Sequence, residues 1–242
     1  MHSLVENNNV YIIDNYVTID AIMDPLSNIF LVVILIISFM IRNIVYGYVA
    51  DWLGDPTARL SGRITANPLS HIDPLGTVII PGILIFTGTG IVIGWPKPVP
   101  YNKYNFTNQK WGEVLVGVSG SLANLTLAVI FALIIRFAPG ISFSFVDLAV
   151  DVILLNLFLA FFNLIPIPPL DGSKILANIL PFNLSYKYSQ FIQSMERRPF
   201  LSMVIILFVF MFFIGGPFFV SMLYLGSFLT GFEPNTLLSL YR

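Results

Sequence analysis

The chain has no cysteine, which removes disulfides, thiolate metal ligands and cysteine nucleophiles together. Histidine is almost as scarce. There are two in 242 residues, His2 and His71, so no histidine-rich metal centre can be assembled. Charge is also short: 10% of residues are charged and 56% hydrophobic, where soluble domains carry about 25% charged residues. Mean hydropathy is +0.83. A chain this poor in charge cannot cover a water-facing surface, so it is read as an all-α, multi-pass integral membrane protein whose first partner is the lipid bilayer. Net charge is −1, and the absence of a basic field argues against nucleic acid. The first 27 residues hold Glu6, Asp14, Asp20 and Asp24 but no Lys or Arg, and so lack the positive n-region of a signal peptide.

A spanning helix needs roughly 20 apolar residues. Four segments meet that length: Leu26–Val49, Val114–Ile135, Leu148–Ile165 and Phe200–Leu229. Asp24 and Pro25 read as the N-cap and first turn of the first one. Gly215-Gly216-Pro217 is expected to kink or split the last. The segment 74–94 is a fifth apolar candidate, interrupted by Pro81, Gly82, Gly88 and Gly90. No internal repeat or low-complexity linker is visible. Residues 1–242 therefore read as one membrane domain, with an extramembrane segment 1–25 and a helical body 26–231.

Positive charge decides between two paths for the fifth segment. If it crossed the bilayer, seven cations (Lys97, Lys103, Lys110, Lys174, Lys187, Arg197 and Arg198) would fall on the same side as the acidic N-terminus. If it dips in and returns, those seven join Arg59 and Arg63 on one side. The second path obeys the positive-inside rule. It predicts a re-entrant or interfacial hairpin near 74–94, an outside N-terminus and cytoplasmic basic loops. Trp95, Tyr101 and Tyr104 then read as interfacial anchors, and the Phe-rich stretch 208–219 as lipid-facing or packing surface.

Chemistry is concentrated in "FNLIPIPPLDG", residues 162–172. Pro166, Pro168 and Pro169 cannot all lie inside a helix, so the chain is expected to leave the helix and run extended. It then delivers Asp171, followed by the permissive Gly172. An ionisable residue at membrane depth is a functional candidate by default; the structural alternative makes Asp171 the N-cap of a helix starting at Gly172. The pattern N-x-x-P-x-x-x-L-D-G, met by Asn163, Pro166, Leu170, Asp171 and Gly172, resembles the second signature of the site-2 proteases. These are intramembrane zinc metallopeptidases, classed as M50. "ADWLGDPTARLSGRITANPLSHIDPLGT" (50–77), "GWPKPVP" (94–100), "YNF" (104–106) and "GSLANL" (120–125) resemble the same family in the same order. Ser121 stands where that family usually has proline.

The resemblance implies a site-2-protease-like helix bundle with zinc held by H-E-x-x-H on the first helix and by the aspartate of the second signature. Two histidines at i and i+4 share a helix face, and the glutamate between them activates the bound water. Counting back from "YVADWLGDPTARL", those five positions are Arg42, Asn43, Ile44, Val45 and Tyr46. Both histidine ligands and the base are replaced, and no histidine lies between His2 and His71 to rescue the motif. Asp171 is the one ligand position kept. His71 matches a family position that is not a zinc ligand, and Asp51, Asp55 and Asp73 read as loop and cap residues. No catalytic residue and no metal are therefore expected.

Arg42 and Asp171 each carry a problem that the other solves. A carboxylate without a partner, and an arginine at a helix centre, are both costly in a membrane protein. An Arg42–Asp171 ion pair in the place of the zinc–aspartate bond is the expectation, with Tyr46 adding a hydroxyl and Asn43 an amide. The alternative has Arg42 snorkel to the cytoplasmic interface while Asn43 faces Asn163 or water. Asn124, in a run of small residues, suits close helix packing and matches an asparagine that positions substrate in active relatives. Asp151 and Asn156 read as solvated or as helix contacts. Three functions stay open: an inactive pseudoprotease that binds membrane-spanning segments, an active zinc metallopeptidase with unconventional ligands, and a non-peptide binding or transport component.

Overall fold

The computed structural model describes residues 25–86 and 94–241; Asp24 and the rest of the N-terminal segment lie outside them. The elements in chain order are α1 (Pro25–Trp52), α2 (Thr57–Leu60), a π-helical turn (Pro74–Ile79) continuing into α3 (Ile80–Phe86), α4 (Gln109–Phe137), α5 (Phe143–Phe162), α6 (Asp171–Ile179), α7 (Phe182–Glu196), α8 (Pro199–Val209), α9 (Gly215–Thr230) and α10 (Pro234–Leu240). Among the described residues there is no strand. Among the described residues four helical stretches are long and apolar enough to cross a membrane: Ile29–Trp52, Gln109–Phe137, Phe143–Phe162 and Val204–Thr230. The protein is an all-α, multi-pass integral membrane protein.

In lipid, burying apolar surface gains little over leaving it among acyl chains. Close van der Waals packing and polar contacts therefore decide which helices meet. That places α4 at the centre, packed against α1, α5, α6 and α9. Its sequence explains the position, because Gly112, Gly117 and Gly120 open its surface. A Cβ on Gly112 would lie 2.7 Å from the Phe106 ring, and one on Gly117 would lie 3.1 Å from Ile175. Farther along, Ala128 and Ala132 of α4 meet Ile153 and Leu157 of α5 and Met222 of α9.

The last span is not split into two: Val204–Thr230 runs as one helical stretch. Pro217 cannot donate to the carbonyl four residues back, and a π turn over Phe210–Ile214 precedes it. Gly215 N–H closes that turn on the Phe210 carbonyl. Phe210 turns inward onto Phe158, Phe162 and Phe218, while Phe212 and Phe213 are both 70% exposed.

The segment after residue 73 returns to its starting level. Trp95 N–H donates to the Gly76 carbonyl at 3.1 Å, Lys97 N–H to the His71 carbonyl at 2.9 Å, and Thr77 Oγ1 to the Trp95 carbonyl at 2.8 Å. A segment whose two ends are hydrogen-bonded together cannot cross a bilayer once. The loops around 55 and 102 are joined through Asp55, Asn102 and Asn105, and Asn178 near the end of α6 donates to Glu113 near the start of α4. Trp95 packs directly over Gly76. Tyr101 likewise packs between Tyr46 and Phe106, while Tyr104 is exposed.

Asp55 does more than cap a turn. Its buried carboxylate accepts from Thr57 Oγ1 (2.5 Å), Asn102 N–H (2.7 Å) and Asn105 Nδ2 (2.8 Å). Burial pushes its pKa up, but these hydrogen bonds outweigh it and hold the carboxyl below its ordinary value. A depressed folded-state pKa stabilises above the unfolded value of about 3.9, and that contribution is lost as pH falls through the folded value. Asp55→Ala is expected to cost about 3 kcal/mol, measured by denaturant titration at neutral pH, with the gap to the parent closing below pH 4.

Candidate functional site

Helix α5 ends at Phe162 because Pro166 lies four residues on. The prolines do not produce an extended run, contrary to expectation. Leu164 and Ile165 N–H bond back to Phe161 and Phe162, and Ile167 and Leu170 bond locally, so residues 163–170 form compact turns. Gly172 N–H closes the segment on the Asn163 carbonyl at 2.8 Å. This closure leaves no room at residue 172, where a Cβ would stand 2.1 Å from the Leu164 carbonyl oxygen. Gly172→Ala is therefore expected to displace the α6 start and lower the melting temperature by several degrees, which a thermal-shift measurement checks.

Asp171 is the first residue of α6, with Leu170 as its N-cap. The exposed N–H groups of that first turn favour a carboxylate there. Helix α1 brings Arg42 to it: Arg42 Nη2 donates to Asp171 Oδ2, and each residue is only 8% exposed. The guanidinium runs over Gly120 of α4, whose absent Cβ would sit 3.2 Å from Arg42 Nε. A side chain at 120 would occupy the space the arginine uses. Gly120→Leu is expected to expel the guanidinium and break the pair, seen as loss of Arg42–Asp171 coupling in a double-mutant cycle.

Tyr46, one turn on from Arg42, meets the guanidinium with its ring, 5.8 Å from the centroid, a cation–π distance. Asn43 is 1% exposed. Its Oδ1 lies 3.5 Å from Arg42 Nη1, and its Nδ2 donates to the Lys97 carbonyl at 3.3 Å. Asn43 therefore does not face Asn163, whose Nδ2 bonds the Leu159 carbonyl in its own helix at 2.7 Å. The Lys97 carbonyl also accepts from Arg63 Nη2 at 2.6 Å, and Arg63 reaches the Ser70 and Pro98 carbonyls as well. Arg63 thus holds Lys97 and Pro98 beside Asn43 of α1. Burial lowers the Arg63 pKa, but an arginine stays charged through any accessible range.

Beyond Tyr46 the polar contacts continue through Tyr101, which donates to Glu113 Oε1 at 3.1 Å. Burial, then the Glu113 carboxylate, push the Tyr101 phenol well above its ordinary value, so it stays a neutral donor. Pro166 is exposed, and its carbonyl accepts from Tyr188 Oη at 2.6 Å. Asn124 and Asn156 are fully buried. Asp151, read from the sequence as solvated or a helix contact, is 3% exposed. His71 is engaged elsewhere through one ring nitrogen, its Nε2 donating to the Thr65 carbonyl at 2.8 Å.

A catalytic zinc needs three protein ligands and an open position. Around Asp171 stand a guanidinium, a carboxamide and a phenol, and a permanent cation touches the one carboxylate. Among the described residues no group of three His, Cys, Asp or Glu side chains is placed to hold a metal. The residues present do not fit zinc.

The sequence profile of peptidase family M50 matches residues 141–211, the stretch that holds α5, the proline turns and Asp171. A protein of Bacillus subtilis named "Putative zinc metalloprotease YwhC" is 39% identical over 169 residues, covering 66% of this chain and 74% of that protein. The chain belongs to peptidase family M50, the site-2 protease family. "Putative zinc metalloprotease Rip2" of Mycolicibacterium smegmatis is 29% identical over 162 residues, 61% of this chain and 58% of the relative. "Zinc metalloprotease MJ0392" of Methanocaldococcus jannaschii is 35% identical over 77 residues, 32% and 22% of the two chains. No solved structure gives a significant match.

Four residues that shape the M50 site escaped the sequence reading. Gly120 seats the guanidinium, and the spacing of Gly117 and Gly120 was its available signal. Arg63, Lys97 and Tyr101 form the cover. Their partners are distant in sequence and mostly backbone carbonyls, which carry no residue-type signal.

Proposed function

We propose that this M50 member is a pseudoprotease: it keeps the family's membrane scaffold, does not hydrolyse peptides, and binds membrane-spanning segments of other proteins. The contact of Arg42 with Asp171, at the position of a metal–carboxylate bond, carries this reading. The pair neutralises the one retained ligand, so Asp171 has no charge left over for a divalent cation. Asn43 adds support, because a carboxamide does not take a proton from water near neutral pH. Orientation follows the positive-inside rule, with Arg63, Lys97 and the other loop cations cytoplasmic.

A groove of about 350 Å³ between α1 and α4, lined by Ile41, Val45, Ser119, Leu122, Ala123, Thr126 and Leu127, supports the binding role. It is almost wholly apolar, so a hydrophobic helix is the occupant it suits. Protein purified from native membranes tests the catalytic half. The expected result is substoichiometric zinc and no cleavage of a transmembrane substrate peptide. Stoichiometric zinc that disappears in Asp171→Ala would overturn it and favour an active metallopeptidase with unconventional ligands.

A further inference from the structure

The interior next to the ion pair contains polar atoms that the protein itself leaves unanswered. Asn124 is 0% exposed, and neither its Nδ2 nor its Oδ1 has a hydrogen-bond partner. Ser121 Oγ, one turn back on α4, and Arg42 Nε are also buried without partners. So is Asn156 Oδ1 on α5, although its Nδ2 donates to the Val152 carbonyl at 2.9 Å. An amide with no partner in an apolar interior costs several kcal/mol, and buried polar groups in native proteins are almost always answered by protein or by water. Five such atoms, three of them on one turn of α4, call for a common explanation.

Their placement supplies it. Helices α1 and α4 run antiparallel, with Arg42 against Gly120 and Tyr46 clustered with Val116. This register puts Ser38 of α1, itself 2% exposed, at the level of Asn124. Gly120, Ser121 and Asn124 follow one another along a single turn of α4, leading away from the guanidinium. The Arg42 side chain lies over Gly120, so its Nε–H is carried to the same stretch of α4 as Ser121 and Asn124. Asn124 presents both a donor and an acceptor, Arg42 Nε only a donor, and Ser121 either.

We infer that this seam holds internal water: a short file of ordered molecules that bridges Asn124, Ser121 and the Nε–H of Arg42. Water suits every group present, since each molecule both donates and accepts and typically makes about three hydrogen bonds. The site carries no uncompensated charge, because the arginine is already paired with Asp171. Its consequence is that the ion pair stands in contact with exchangeable water within the helix bundle, not in a dry core. The inference does not depend on whether the chain cleaves peptides.

The absence of native cysteine makes a direct test possible. A single introduced thiol gives the only S–H infrared band in the protein, and transfer to D2O converts it to S–D wherever water reaches. Ser121→Cys and Asn124→Cys are compared with Ala128→Cys, one turn farther along α4 in the apolar cluster with Ile153 and Leu157. The thiols at 121 and 124 are expected to exchange at least tenfold faster than the thiol at 128. Equal rates at the three positions, whether all protected or all exchanged, would overturn the inference. Ser121→Cys replaces one atom, so it keeps the test decisive where Asn124→Cys fails to fold.

Discussion

Removing one member of the Arg42–Asp171 pair is expected to cost about 3–5 kcal/mol, because the survivor becomes a buried charge without a partner. Asp171→Leu leaves the guanidinium over Gly120 facing an apolar group, and Arg42→Leu leaves the carboxylate at the start of α6. Replacing both residues with leucine removes both desolvation penalties, so the double variant is expected to regain most of the parent's stability. The coupling energy should then reach at least about 2 kcal/mol, well above the few tenths seen between independent sites. Reversible unfolding in mixed micelles, followed by circular dichroism, gives the four values of the cycle. Additive single effects would show that the two side chains are neighbours without a shared energy, and would remove the main support for inactivity.

The same cycle separates charge from packing. Arg42→Met keeps the aliphatic stem that lies against Gly120 while removing the charge. If stem packing carried the stability, Arg42→Met would resemble the parent. With the ion pair carrying it, Arg42→Met should resemble Arg42→Leu and gain from Asp171→Leu by the same amount.

Whatever was legible in the sequence was local or periodic. Apolar length gave the four spans, and "RNIVY" at a fixed distance before "ADWLGDP" gave the substituted positions. The proline cluster gave the end of α5 near Phe162 but not its shape. Three prolines forbid a helix, yet they say nothing about whether Ile165, Ile167 and Leu170 turn inward or run on. Gly172 shows the limit well: its tolerance for a turn was visible, whereas its contact with the Leu164 carbonyl depends on the closed turn itself. Asp55 and Arg63 looked like ordinary loop charges because their partners lie 47 and 34 residues away. The π turn at Phe210–Ile214 was hidden for a different reason. Pro217 announces a missing hydrogen bond, and a kink, a break or a wider turn all satisfy that announcement.

If the helix register of the family survives, restoring its motif should restore its metal. Arg42→His, Asn43→Glu and Tyr46→His together place two imidazoles at i and i+4 on one face of α1, with a glutamate next to the first. The side chain at 42 already reaches Asp171. An imidazole is shorter than a guanidinium side chain, but two zinc bonds of about 2 Å each make up the difference. Asp171 then becomes the third ligand, and water takes the fourth position. The triple variant is expected to retain about one zinc per chain through gel filtration, against substoichiometric metal in the parent, and to lose it when Asp171→Ala is added. Zinc content by mass spectrometry reads this directly, without requiring a substrate. A folded triple variant that binds no zinc would mean that α1 and α6 have drifted from the ligand geometry as well as from the ligand residues. The loss of chemistry would then be built into the backbone and not confined to three side chains. Zinc bound without peptide cleavage would instead separate the metal site from the rest of the catalytic apparatus, and would turn attention to the cover held by Arg63 and Lys97 above it.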